Sequence, residues 1–357
     1  MKSNMNRRDF LSAVGGIGSA AAAGTLLSGS RSAYAQGAGG VVKVTHFGGP
    51  YAELEKIVAE PFKAAGLGTV QYVSSLTPAT LGALQANKDN PPFDVVMLSR
   101  PAAVRAGNAG LVDKLDMSRI PSVKEFHDKA RQPEGFGVPF VIDTVEIMYN
   151  KKMVKEPITS WLDLWRPDLD GKIALPSSSI VLPTDLIAVI TRALGGVETD
   201  KQAVDRTFAK LAELKGRVRT FTSNPVQAST LIERGEVAAT PQLGIRVSAV
   251  VQKSQEIARS FPKEGVSARP YDLCIVSGSK AKDLAYKYIE FIVSQKIQND
   301  IVNAMWTPVG NANIKIPDSL KDKIFSDYDK LIFLDETYLA TVQRDWMTRW
   351  ERTIQAG

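Results

Sequence analysis

Short apolar segments alternate with amphipathic helical segments over almost the whole of residues 36–357. Strand-length apolar runs occupy residues 41–47, 93–98 and 271–276, whereas residues 280–294 repeat apolar side chains at helical spacing. Such alternation favours parallel or mixed sheets that are covered by helices on both faces. About 320 residues are enough for two lobes, each with its own core. The predicted fold class is therefore α/β with two lobes.

Helix start and stop signals are most complete near residue 225. Asn224 suits the N-cap, Pro225 suits the first helical position, and Gly235 suits the end of the helix. A second helix is expected at residues 185–194, with Thr184 as its N-cap. These signals predict local structure and carry no function.

The remaining elements are predicted from apolar patterning alone. A last helix is expected at residues 334–354, where Trp346 and Trp350 lie four apart on one face and are interpreted as packing anchors. Three further segments have the length and apolar character of strands: residues 145–149, 172–175 and 236–240.

The N-terminal residues carry an export pattern. Residues 6–11 read Asn-Arg-Arg-Asp-Phe-Leu, and a weakly apolar run rich in Gly and Ala follows them. This run is too short and too Gly-rich to remain in a bilayer, and Ala33-Tyr34-Ala35 suits signal peptidase. The pattern predicts a twin-arginine signal peptide over residues 1–35, cleaved after Ala35, with export of the folded protein to a bacterial periplasm. The alternative is an N-terminal membrane anchor.

Composition excludes several classes of function. The formal net charge is +6, and the predicted signal peptide carries about half of it, so the charge that remains is too weak to indicate a nucleic-acid partner. Cys274 is the only cysteine, which excludes an intramolecular disulfide and a thiolate-rich metal site. Its apolar surroundings favour a buried strand residue over a reactive thiol.

Histidine is scarce, with only His46 and His127 in the chain. A Ser-His-Asp hydrolase would have to use one of them, and no G-x-S-x-G elbow occurs in the sequence. The same scarcity disfavours zinc. The sequence therefore predicts neither an enzyme nor a metal protein, and no cofactor is expected.

Six short segments occur in the order that is typical of one protein family. They are FGGPY at 47–51, FDVV at 93–96, GVPF at 137–140, SWLDLW at 160–165, ERGEVA at 233–238 and TPVGN at 307–311. Together they resemble the spermidine/putrescine-binding branch of the family 1 extracellular solute-binding proteins of ABC importers. The resemblance covers nearly all of residues 36–357.

This resemblance implies a type II periplasmic binding protein fold. In that fold, two α/β lobes with mixed sheets are joined by two crossover strands and close on one solute. The bounds that it implies are crossovers near 140–147 and 268–273, lobe 1 at 36–141 and 273–325, lobe 2 at 142–272, and a C-terminal helical segment at 326–357 that packs on the lobes.

The resemblance also implies ligand-binding positions. Asp272 matches the acidic residue at the second crossover that pairs with a substrate ammonium, although an ordinary strand-end carboxylate is the alternative. Tyr271 beside it would supply an aromatic wall or would belong to the core. Phe47 and Tyr51 match the aromatic positions of the first strand-to-helix loop, where rings contact methylenes and ammonium groups. For Phe47, core packing is the alternative.

Three polar residues follow from the same resemblance. Ser99 stands where the family places a hydroxyl at the carboxyl end of a strand, and Asp143 and Thr144 stand in the first crossover. Asp143 would be a second carboxylate for the solute or, alternatively, a solvated hinge residue.

Departures from the family pattern bear on the identity of the solute. Ser177 and Ser178 stand where polyamine binders carry a pair of acids, and hydroxyls suit a carboxylate, phosphonate or sugar instead of an ammonium. Gln242 replaces an expected tryptophan, and Arg246 follows as a candidate clamp for an anionic group or as a surface arginine. These departures favour a mono-amine, a zwitterion or a polar organic solute over a long polyamine.

The sequence therefore predicts a non-enzymatic periplasmic receptor. It would capture a small polar amine-containing solute, polyamine-like or zwitterionic, by lobe closure and deliver it to an inner-membrane ABC permease. No nucleic-acid partner is expected, and a monomer is. Two alternatives remain open, an enzyme exported by the twin-arginine route and a sensory binding module of unknown substrate.

Overall fold

A mixed sheet of ten strands runs through residues 39–356, which are the residues that this computed structural model describes. The predicted signal peptide and its cleavage site lie outside the described residues. The strands are β1 (Val41–His46), β2 (Thr69–Ser74), β3 (Val95–Ser99), β4 (Val138–Asn150), β5 (Ile173–Pro176), β6 (Val218–Thr222), β7 (Ala239–Leu243), β8 (Ile257–Ser260), β9 (Val266–Ile275) and β10 (Leu331–Phe333).

Ten α-helices accompany this sheet within residues 39–356. They are α1 (Glu60–Ala64), α2 (Thr77–Ala86), α3 (Arg100–Asn108), α4 (Leu182–Ala193), α5 (Lys201–Ala212), α6 (Pro225–Glu233), α7 (Gly244–Val251), α8 (Lys282–Val293), α9 (Gln295–Met305) and α10 (Glu336–Trp350). No helix in this part of the chain is long and apolar enough to cross a membrane.

The strand order places two long strands in the middle of the sheet. The order is β2-β1-β3-β9-β4-β7-β5-β6, with β10 on β9 and β8 on β4. Strands β4 and β9 are antiparallel to each other, and each also pairs at one end with strands of a different part of the chain. The segments expected as crossovers, 140–147 and 268–273, lie within β4 and β9. The exact lobe bounds stay a prediction.

Buried side chains form two large cores. The first joins β1 and β3 with α8 and α9, for example through Val44, Met97 and Tyr288. The second joins β5, α4, α5 and α10 and includes Trp161 and Trp350. Each core buries one face of the sheet against helices, as expected for α/β lobes.

The C-terminal helix belongs to the second core. Trp346 and Trp350 are 2% and 0% exposed, which confirms their prediction as packing anchors. The indole Nε1 of Trp350 also donates to the carbonyl oxygen of Pro176 at 3.1 Å. Helix α10 is thus attached to the last residue of β5.

Two predicted helix starts had different outcomes. Helix α6 begins as predicted, because the Asn224 side chain accepts the N–H of Gln227 at 2.9 Å. Helix α4 begins at Leu182, so the prediction of Thr184 as its N-cap is wrong. The start is earlier because Pro183 lies in the first turn, where a missing N–H leaves no helix bond unmade.

Two strand predictions can also be judged against the sheet. The strand predicted at 236–240 lies at Ala239–Leu243 and continues through Pro241. This is tolerated because β5 pairs with β7 at Ala239 only. Cys274 is fully buried within β9, as predicted for a strand residue.

Candidate functional site

Three aromatic side chains meet where β1 ends. Gly48 and Gly49 have φ angles of 72° and 57°, a conformation that favours glycine, and they turn the chain between Phe47 and Tyr51. The Phe47 ring centroid lies 5.0 Å from that of Tyr271 on β9 and 5.9 Å from that of Tyr51. Tyr51 and Tyr271 are 6.2 Å apart. The structure thus brings three predicted site residues together, and we call them the aromatic cluster.

A buried carboxylate faces this cluster. Asp143 on β4 is 1% exposed, and its Oδ1 accepts the N–H groups of Thr144 and Ile245 at 2.9 Å each. Its Oδ2 is buried and has no hydrogen-bond partner within residues 39–356. Burial raises the pKa of Asp143 to about 7, although the two N–H bonds and Arg269 oppose the shift.

The hydroxyl of Tyr51 is a second unmet polar atom. It too is buried without a partner among the described residues. Burial raises the pKa of Tyr51, and the negative charge of Asp143 raises it further, as it also does for Tyr271. A buried polar atom without a partner is unfavourable, so Asp143 Oδ2 and the Tyr51 hydroxyl both have hydrogen-bonding capacity that the described residues leave unused. A carboxylate beside aromatic rings suits a cation.

Arg246 places a positive charge at the same location. It lies in the first turn of α7, which Asp143 holds through its bond to the N–H of Ile245. Its guanidinium lies against Gly49, where a Cβ atom would come within 3.2 Å of Nη1. No ion-pair partner for Arg246 is found in the part of the chain that the structure describes. The aromatic cluster therefore has both an acid and a base beside it.

A cavity of about 190 Å³ is lined by Arg269 and Asp185, two charged residues that were not predicted as site residues from the sequence. Arg269 on β9 forms an ion pair with Asp185 of α4, and Ser267 Oγ donates to the same carboxylate at 2.6 Å. The side chains that line the cavity include Ser99, Thr184, Asp185, Arg269 and Glu336. Arg269 lies two residues before Tyr271, so the period of two along a strand was a usable signal for its face.

Asp272 is placed differently from the prediction. It is fully buried, and its carboxylate accepts from Gln132 Nε2 at 2.7 Å and from Arg100 Nε and Nη2 at 3.4 and 3.3 Å. Burial raises its pKa, which Arg100 and Gln132 oppose. Because neighbouring strand residues point to opposite faces, Asp272 faces away from the side that Tyr271 occupies. The protein itself supplies its partners, so the structure does not place Asp272 in the aromatic cluster.

Two other predicted residues are engaged inside the fold. Thr144 is 1% exposed and donates to Glu146, which forms a buried ion pair with Arg259 at 2.6 Å. Gln242 is fully buried, with its amide nitrogen 2.7 Å from the carbonyl oxygen of Pro225 and its amide oxygen accepting the N–H of Leu243. The hydrogen bonds of both side chains are made within the protein.

The predicted serines lie in two places. Ser99 lines the cavity beside Arg269. Ser177 shares a hydrogen bond with Ser179 at 2.6 Å, and the N–H of Ser178 donates to Gln355 Oε1 at 3.0 Å. The serine loop is therefore in contact with the C-terminal segment of the chain.

Comparisons with known proteins agree with this architecture. A family model described as bacterial extracellular solute-binding protein matches residues 58–330. Spermidine/putrescine-binding periplasmic protein 1 of Haemophilus influenzae is 23% identical over 241 residues, which are 65% of this chain and 65% of that protein's length. The gamma-aminobutyric acid-binding protein of Pseudomonas aeruginosa is 26% identical over 265 residues, or 71% and 72% of the two chains.

A solved structure extends the agreement to the fold. The spermidine/putrescine ABC transporter substrate-binding protein of Streptococcus pneumoniae aligns with a TM-score of 0.72 at 19% identity, covering 88% of this chain and 99% of the other. The predicted fold class, a two-lobed periplasmic binding protein fold, is thereby confirmed.

Proposed function

This chain belongs to the family of bacterial extracellular solute-binding proteins, and from that premise we propose that it is the periplasmic substrate-binding component of an ABC importer for a small amine-containing solute. Relatives named for spermidine and putrescine and for gamma-aminobutyric acid support this class of solute. The observation that carries the proposal is the unmet Oδ2 of Asp143 beside the unmet hydroxyl of Tyr51.

An ammonium group would satisfy both atoms at once. It donates up to three hydrogen bonds, and its positive charge would serve as the countercharge of the buried carboxylate. The rings of the aromatic cluster would cover the methylenes next to the ammonium and add a cation–π contribution of about 0.5–2 kcal/mol. The proposed contacts at this end of the solute are thus Asp143, Tyr51, Phe47 and Tyr271.

The same atoms give a physical reason for lobe closure to depend on solute. In an open protein, water would reach Asp143 and Tyr51 and make the missing hydrogen bonds. In a closed protein without solute these bonds are unmade, which disfavours the closed form. A bound ammonium would remove that penalty and shift the population toward closure. Only the closed protein would then carry solute to a permease.

The cellular context belongs to the same proposal. We place the protein in the periplasm as a monomer, exported by the twin-arginine route with cleavage after Ala35, and its partner is the permease of the inner membrane. The relatives that are periplasmic binding proteins support the compartment. Sensory binding would use the same fold, and reconstitution of transport with the permease separates the two roles.

A ligand screen on the protein from Gln36 onward tests the proposal. Thermal unfolding is followed with polyamines, amino acids, aminophosphonates, organic acids and sugars, since a ligand of the native state raises the melting temperature. We expect stabilisation by amines only, and its loss in Asp143→Asn. The control is Asp283→Asn, at a side chain that is 90% exposed. Stabilisation by amine-free solutes alone, or full amine binding by Asp143→Asn, would overturn the proposal.

A further inference from the structure

Two helices begin at the cavity beside Arg269. Helix α3 starts after Ser99 and α4 starts after Val181, and both of these N-cap residues line the cavity. Neither helix start has a side-chain cap. The first N–H groups of a helix carry partial positive charge and lack partners within the helix. Pro101 and Pro183 provide no N–H, and the N–H of Thr184 donates to the carbonyl oxygen of Val181 at 3.0 Å. The two helix starts therefore offer the cavity the partial positive charge of the helix ends more than free N–H groups.

Unmet donors in the cavity point to a ligand independently of the helices. Thr184 is 3% exposed, lines the cavity, and its hydroxyl has no hydrogen-bond partner within residues 39–356. The Nε of Arg269 is likewise buried without a partner there, while Nη1 of the same guanidinium is held by Asp185. A hydroxyl and a guanidinium N–H of two residues that line the same cavity thus lack partners among the described residues.

The two acids that line the cavity, Asp185 and Glu336, do not accept hydrogen bonds from the Thr184 hydroxyl or from Arg269 Nε. Asp185 is occupied, because Oδ1 accepts from Ser267 and Oδ2 is paired with Arg269. Glu336 at the start of α10 is the other acid; burial raises its pKa, and the charges of Arg269, Arg100 and Arg105 oppose that shift. Arg105 adds a positive charge at the cavity wall. Among the side chains that line the cavity, hydrogen-bond donors and positively charged groups therefore remain available to a ligand.

We propose that this cavity binds the anionic group, a carboxylate or a phosphonate, of the same solute whose ammonium meets Asp143. The solute is therefore a zwitterion with its charges at opposite ends of a short chain. Arg269 connects the two ends, because it lines the cavity and its charge also acts on Asp143 and Tyr271. A cavity of about 190 Å³ has room for such a group, since a water molecule takes up about 30 Å³ of liquid. This inference rests on the proposed function for its ammonium end.

Calorimetric titration with matched solutes tests the inference. The probes are 4-aminobutanoate, its phosphonate counterpart 3-aminopropylphosphonate, n-butylamine, putrescine and butanoate. We expect one or both zwitterions to bind at least tenfold more tightly than n-butylamine and putrescine, because a hydrogen bond to a charged group contributes about 1.5–3 kcal/mol. The better of the two zwitterions identifies the anionic group as carboxylate or phosphonate.

Two variants on one helix locate the effect. Thr184→Val keeps the shape of the side chain and removes the unmet hydroxyl, so zwitterion affinity should fall about tenfold while n-butylamine affinity stays unchanged. Thr191→Val is the control, because the Thr191 hydroxyl already bonds Thr207 at 2.8 Å. Affinity of both probes should be unaltered there once folded protein is titrated.

The outcomes separate this inference from the proposed function. If putrescine or n-butylamine binds as tightly as the zwitterions and Thr184→Val changes nothing, the anion cavity is overturned and the amine receptor stands. If butanoate alone binds and depends on Thr184, the amine receptor is overturned and the anion cavity stands. If none of the five probes binds, both are overturned.

Discussion

Asp143 and Asp272 are two fully buried acids on neighbouring antiparallel strands, and they differ in what the protein gives them. Asp272 receives a guanidinium and an amide from Arg100 and Gln132. Asp143 receives two backbone N–H groups on one oxygen, and within residues 39–356 it receives no hydrogen bond on the other. Burial alone thus does not mark a binding residue. Unmet hydrogen-bonding capacity does, because a completed pair has nothing left to offer a solute.

The largest effect should come from breaking the completed pair. Arg100→Met leaves the buried carboxylate of Asp272 without its countercharge, and we expect the free energy of unfolding to fall by about 3–5 kcal/mol. Urea denaturation measures this. Adding Asp272→Leu removes the stranded charge and should restore most of the loss. Stability that is unchanged in Arg100→Met would show that Asp272 does not depend on this partner, and would remove the contrast with Asp143.

At Asp143 we expect a substitution to raise the free energy of unfolding instead of lowering it. Its folded pKa of about 7 lies above the ordinary aspartate value, so the carboxyl group stabilises the folded state in acid and loses that contribution as the pH rises through 7. Asp143→Asn keeps an oxygen for the two N–H bonds and cannot ionise. Without solute, it should exceed the wild type in free energy of unfolding by roughly 4 kcal/mol at pH 8 and match it near pH 4. A variant that is less stable than the wild type at pH 8 contradicts this.

Solute binding should follow the same titration. An ammonium needs the ionised carboxylate, and below pH 7 Asp143 must first release a proton. Lowering the pH from 8 to 6 should therefore weaken amine binding by about tenfold. Calorimetry in buffers of different ionisation enthalpy would also detect the released proton. Affinity that is constant over this range would indicate that Asp143 is already ionised in the free protein.

The smallest effect should come from the tyrosine hydroxyl. Tyr51→Phe removes an unmet polar atom, so stability should stay within about 1 kcal/mol of the wild type while amine affinity falls about fivefold. Tyr72→Phe is the matched control, since the Tyr72 hydroxyl is bonded to that of Tyr288 at 3.0 Å. There we expect a loss of about 1 kcal/mol in stability and unaltered affinity. The reverse pattern would assign Tyr51 to the core.

The sequence was sufficient for most of the helices and strands. Apolar periodicity and cap residues predict β1, α6 and α10 because these signals are local. Phe47 and Tyr51 were expected at the site because the segment at 47–51 resembles the family pattern, and the structure places their rings 5.9 Å apart. Tyr271 and Asp272 were both expected at the site, yet a strand presents only one of two neighbours to a given face. Whether Tyr271 or Asp272 faces the site depends on how β9 pairs with β4, and this pairing cannot be predicted from the residues around them alone.

The cavity residues were missed for a related reason. Thr184 was interpreted as a helix cap, and its actual place in the first turn of α4, a helix that packs against β9, puts it in the wall of the cavity. Asp185 and Arg269 are 84 residues apart in the chain and meet only in the folded protein. Gln242 was predicted as a site residue, but its side chain is held inside the fold by a hydrogen bond to the carbonyl oxygen of Pro225. Long-range contacts decided each case.

The attachment of the C-terminal helix has a consequence for how the protein is made. Trp350 and Gln355 complete the loop between β5 and α4, whose residues leave the ribosome about half a chain earlier. During that interval the apolar face of α4, with Leu186 and Ile187, has no Trp346 or Trp350 to cover it. The second core therefore assembles late in synthesis, and a nascent chain ending before residue 346 should be a better chaperone client than the finished protein.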